Sequence, residues 1–146
     1  LRREGNGWSA PAFFRMSGGS VGLQMGGQSS DSILIITSER GLKGLLENKL
    51  TLGADASVAA GPTGRDAEAK TDWQMTASIY SYSRNRGLFA GVSLDGMVIN
   101  QDKKANASYY GNHLTAEKIL YSDSIKLSQE SARLVSTLKK LSNSVR

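Results

Sequence analysis

The sequence predicts an α+β fold: a mainly antiparallel, curved or barrel-like β-sheet with short helices, the last third being helical. Three observations carry that expectation. Apolar residues alternate with polar or small ones through most of the first hundred positions, Gly- and Pro-containing clusters interrupt the alternation, and from residue 102 onward the apolar spacing becomes that of a helix. Strand side chains point alternately to opposite faces while helix side chains return to one face every three or four residues, so the change of period marks a change of element. At 146 residues the chain suits a single domain, 1–146, with one apolar core.

Residues 17–27 read as a strand with Val21, Leu23 and Met25 on one side and Gly18, Ser20, Gly22, Gln24 and Gly26 on the other, a small-residue face that another element can approach closely. Residues 32–37 carry Ile33-Leu34-Ile35-Ile36, a β-branched run that suits a strand buried on both faces. Ser38 then caps a short helix bearing Leu42, Leu45 and Leu46, with Glu39 in its first turn, although Gly41 and Gly44 weaken it. Residues 50–60 form the most regular strand pattern, with Leu50, Leu52, Ala54, Ala56, Val58 and Ala60 on one face. Gly61-Pro62-Thr63-Gly64 ends it, because proline lacks the amide hydrogen that a sheet ladder needs.

A long antiparallel hairpin follows, its arms marked by Trp73, Met75, Ala77 and Ile79 and by Leu88, Ala90, Val92 and Leu94, with Arg84-Asn85-Arg86-Gly87 at the tip. Gly91 and Gly96 mark bends. Helices are expected over 102–110, over 115–121 with Thr115 as cap, and over 128–141, where Leu127, Leu134, Leu138 and Leu141 share one stripe.

Much chemistry is excluded by inventory. The chain has no cysteine, hence no disulfide, thiolate nucleophile or thiolate metal site, and His113 is its only histidine, placed at a helix break. Gly91-Val92-Ser93-Leu94-Asp95 has aspartate where a nucleophile elbow requires glycine, and Gly61 to Arg65 lacks the ending of a phosphate-binding loop. Asp55, Asp66, Asp72 and Asp95 are dispersed and do not reproduce a calcium-loop spacing. Asn106-Ala107-Ser108 matches the acceptor pattern for N-glycosylation, which no other sign of a secretory route supports. The expectation is a protein without enzymatic activity, catalytic residues, metal or cofactor. The longest strictly apolar run has four residues, far short of the roughly 20 that a membrane-spanning helix needs.

The net charge of +5 is unevenly placed: residues 1–102 hold ten Lys or Arg against ten Asp or Glu, and residues 103–146 hold eight against three. Such an excess favours an anionic partner. Nucleic acid is not expected, since the chain carries no recognition signature of an RNA- or DNA-binding module. Arg84 and Arg86, close in sequence to Tyr80, Tyr82 and Phe89, make an interfacial tip, and Lys103 and Lys104 form a second basic pair.

Gly19-Ser20-Val21-Gly22-Leu23-Gln24, the block from Leu52 through Asp55 to Arg65, Ser81-Tyr82-Ser83-Arg84, Gly87 to Leu94, and Tyr109-Tyr110-Gly111 together resemble the SYLF domain family over roughly residues 7–141. The resemblance implies a non-enzymatic module that associates with anionic phospholipid, phosphoinositides among them, and in some fungal members with actin. Without a fused SH3 or FYVE module the chain looks like a bacterial member, possessing an envelope or periplasmic location and lacking an upstream N-terminal segment. The residues expected to meet lipid headgroups are Arg65, Arg84, Arg86, Lys103 and Lys104. The alternative is an envelope structural or protein-interaction domain, with a protein partner or a homo-oligomer burying the Leu134, Leu138 and Leu141 stripe.

Overall fold

The structure is a computed structural model that describes residues 1–18, 31–62, 77–83, 94–111 and 113–144. The chain divides into two compact units, a first built from residues 1–14 and 101–146 and a second from residues 15–100. The architecture is α+β, with mainly antiparallel sheets and helices concentrated in the last third.

Most strands lie in the second unit and at its ends. β3 (Phe14–Gly18), β8 (Met97–Gln101) and β5 (Leu50–Thr51) form one sheet in the order β3-β8-β5; β4 (Ser32–Ile36), β7 (Ile79–Ser83) and β6 (Val58–Ala60) form another in the order β4-β7-β6. β4 and β7 are antiparallel, with Ile33 opposite Tyr82 and Ile35 opposite Tyr80, and β5 and β8 are also antiparallel. β6 runs parallel to β7. Leu50, Leu52, Ile79, Leu94 and Ile99 are buried, the apolar content that drives this unit together.

α1 (Glu39–Leu46) starts where expected, Ser38 accepting a hydrogen bond from the Gly41 amide at 3.0 Å. Its glycines do not simply weaken it. A Cβ on Gly41 would stand 3.0 Å from Ile36 Cγ2, and one on Gly44 3.0 Å from Leu50 Cδ1, so the absent side chains let the helix lie close to β4 and β5.

Two strand expectations are corrected. Residues 50–60 do not form one strand: β5 and β6 belong to different sheets, separated by a turn in which Gly53 takes φ +87° and the Asp55 carboxylate accepts from the Thr51 amide at 2.7 Å. Alternation cannot report a positive φ, so the break is invisible to periodicity. β4 is not buried on both faces either, since Ile33 is 67% and Ile35 46% exposed. Among the described residues it pairs with β7 alone. The expected strand over 17–27, apart from its first two residues, and the hairpin tip with most of its second arm lie outside the described residues.

The first unit holds a two-stranded ribbon, β1 (Arg3–Glu4) with β2 (Gly7–Trp8), and the helices α2 (Lys103–Tyr110), α3 (Ala116–Tyr121) and α4 (Gln129–Asn143). Each helix is capped by the side chain before it: Asp102, Thr115 and Ser128 accept from the amides of Ala105, Lys118 and Ser131.

Candidate binding surface

Residues 1–14 are stitched to all three helices of the first unit. Asn106 on α2 is fully buried, and its side-chain amide makes a two-way contact with the backbone of Phe13, the oxygen accepting from the amide at 2.8 Å and the nitrogen donating to the carbonyl at 3.0 Å. That copies the bonding of a neighbouring strand and satisfies groups that would otherwise be buried unpaired. It also consumes Asn106, so the glycosylation pattern there is structural. The Tyr110 hydroxyl donates to the Pro11 carbonyl, Arg2 Nε donates to the Leu120 carbonyl at 3.1 Å, and Trp8 Nε1 donates to Ser142 Oγ at 3.1 Å. The Arg2 guanidinium, which also pairs with Glu4, lies 4.0 Å over the Tyr121 ring. Burial, helped by neighbouring Tyr109, pushes the Tyr110 phenol up to about 12.

Polar anchors also set the rotation of α4. The Tyr109 hydroxyl hydrogen-bonds with Ser128 Oγ and Ser131 Oγ at the start of the helix, and Trp8 reaches Ser142 near its end. The side turned inward is therefore Ser131, Val135, Leu138 and Ser142. The leucine stripe is covered on one edge only: Leu138 is half-buried, whereas Leu134 is 43% and Leu141 60% exposed. Glu130, exposed on the first turn, is held below the ordinary carboxylate range by its own backbone amide and by Ser128.

Of the residues expected at a headgroup site, Lys103 and Lys104 form the exposed first turn of α2, while Arg65, Arg84 and Arg86 lie outside the described residues. The lysines belong to the first unit and the arginines to the second. His113 is exposed between α2 and α3. No group of three or more His, Cys, Asp or Glu able to hold a metal occurs among the described residues, where Asp55 is occupied by the Thr51 amide and Asp95 approaches Gly53. No helix among them is long and apolar enough to cross a membrane.

The division into units sharpens the charge pattern. The first unit contains ten Lys or Arg against five Asp or Glu, the second eight against eight, so the whole net charge of +5 belongs to the first. Arg2 and Arg3 join the basic last third from the other end of the chain, and Glu4 and Asp102 offset their charge.

Comparison with known proteins gives the chain its relatives. A family profile described as "Ysc84: Las17-binding protein actin regulator" matches residues 17–141. "LAS seventeen-binding protein 3" of Saccharomyces cerevisiae is 39% identical over 116 residues, which cover 77% of this chain and 25% of that protein. "SH3 domain-containing protein PJ696.02" of Schizosaccharomyces pombe is 40% identical over 116 residues, 77% of this chain and 27% of its own length. "SH3 domain-containing YSC84-like protein 1" of Homo sapiens is 34% identical over 123 residues, 84% of this chain and 36% of its own length. The chain thus spans between a quarter and just over a third of these relatives. They are eukaryotic, as are the frog, cow and rat proteins matched with them, which corrects the expectation of a bacterial member and of a bacterial envelope location. The profile match covers most of the chain, and the chain belongs to the SYLF/Ysc84 family of non-catalytic binding modules.

Proposed function

We propose that this chain is an anionic phospholipid-binding module that works at a membrane surface through its first unit. The observation that carries the reading is the partition of charge, with an excess of five positive charges in the unit of residues 1–14 and 101–146 and none in the other. Each Lys or Arg held near an anionic bilayer contributes about 1 kcal/mol, so several acting together give salt-sensitive, reversible adsorption. Lys103 and Lys104, exposed on one helical turn, are the headgroup contacts this reading assigns to the first unit. Arg65, Arg84 and Arg86 belong to the second unit and are headgroup candidates to be tested separately. Family membership supports a binding role and leaves the ligand open.

A protein partner is the second reading, favoured by the profile's description as a Las17-binding actin regulator and by the yeast relative's name. Co-sedimentation with neutral and anionic vesicles, phosphoinositide-containing ones included, at low and physiological salt separates the two. Lipid binding predicts pelleting with anionic vesicles only, weakened by salt. Absence of pelleting at low salt contradicts it and leaves the protein partner.

A further inference from the structure

We propose that the outward flank of α4, formed by Leu134 and Leu141 with Arg133 and Lys140 beside them, is the face laid directly against an anionic bilayer. The inference rests on the lipid reading above and adds to it which helix touches the membrane. Leu134 and Leu141 are seven residues apart, two turns of helix, so they stand on the same flank about 10 Å from one another. Both are exposed while Ser131, Val135, Leu138 and Ser142 are turned inward. Arg133 and Lys140 each precede one of these leucines, and both are exposed. They lie about 100° further round the helix, where long stems let cationic heads meet phosphates as the leucines enter the boundary below. Glu130, the one acidic residue of α4, stands a turn before Leu134, at the end of this strip.

Charge decides the occupant. A second copy would bring Arg133 and Lys140 of both chains together and would set one +5 unit against another, so self-pairing along this flank is opposed. Two leucines also supply far less than the roughly 1,000 Å² that a stable protein interface buries. An anionic bilayer matches the sign of the flank and requires only shallow apolar insertion.

The chain has no cysteine, so one introduced thiol can be labelled uniquely. Leu141→Cys and, on the opposite exposed side of α4, Ala132→Cys would each carry an environment-sensitive fluorophore, and both would be mixed with phosphatidylserine-containing and with pure phosphatidylcholine vesicles. The expected result is a blue shift at position 141 with the anionic vesicles and little change at 132. Leu134→Gln with Leu141→Gln should weaken vesicle co-sedimentation about tenfold with the melting temperature kept. Protein that pellets with anionic vesicles while the label at 141 remains in water overturns the α4 face and spares the lipid reading. A wild-type chain that does not pellet overturns both.

Discussion

The two units of this chain are held together by different means, and only one of them carries net charge. The second relies on backbone ladders and a buried aliphatic set, with Ile79 on the central strand of β4-β7-β6, Leu50 against Gly44 of α1, and Leu52 fully buried. Among the described residues the first buries fewer large apolar side chains, chiefly Ile119 and Leu120, and uses side-chain hydrogen bonds between its ends: Asn106 to Phe13, Tyr110 to Pro11, Arg2 to Leu120 and Trp8 to Ser142. A neutral, sheet-rich unit bears little electrostatic self-repulsion, whereas a unit with five excess positive charges must bear it. The difference teaches that the domain separates the work of folding from the work of presenting charge, and each side of that contrast can be broken by substitution.

The largest effect is expected at the apolar side. Ile79→Ala removes a fully buried side chain and should cost about 3–4 kcal/mol in urea unfolding. Hydrogen exchange should accelerate in β4, β6 and β7 and stay unchanged in α2 to α4; equal acceleration in both units would show that they unfold as one body. Asn106→Ala should cost about 2–3 kcal/mol, because the Phe13 amide loses its buried acceptor. Its faster exchange belongs in α2 and residues 1–14. Gly61→Ala should cost about 1–3 kcal/mol, since a Cβ there would collide with the Tyr82 ring, which must move and give up its bond to the Pro62 carbonyl.

The smallest effect is a pH dependence. The Tyr110 phenol titrates at about 12 in the folded chain, above its ordinary value of 10.0, so folding favours the protonated form. Its contribution to stability is complete below pH 10 and is lost as pH rises toward 12. Tyr110→Phe should flatten that part of a stability-against-pH curve, and an unchanged slope would assign it to another group.

Local signals were the legible ones. The helices at 38 and 115 were readable from Ser38 and Thr115, and those at 102 and 128 from the change to helical spacing; in all four a Ser, Thr or Asp side chain reaches an amide three residues ahead, a contact specified by a few neighbouring residues. What alternation could not reveal was set elsewhere. The break between β5 and β6 depends on a positive φ at Gly53, and the exposure of Ile33 and Ile35, which share one face of β4, depends on the packing over that face. The rotation of α4, which turns Leu134 and Leu141 outward, depends on Tyr109 and Trp8. For the candidate surface, Lys103 and Lys104 were legible as an adjacent basic pair. The placement of Arg2 and Arg3 in the same unit was not, because the Asn106–Phe13 contact that helps join the chain's ends spans 93 residues.

The most direct test moves the same loss of charge between the units. Lys103→Gln with Lys104→Gln in the first unit and Lys43→Gln with Lys49→Gln in the second each lower the net charge from +5 to +3, and all four lysines are exposed. Binding to anionic vesicles at low salt should fall by roughly tenfold or more for the first pair, from about 1 kcal/mol per lysine, and by less than about twofold for the second. Equal losses from the two pairs would contradict the assignment of membrane binding to the first unit.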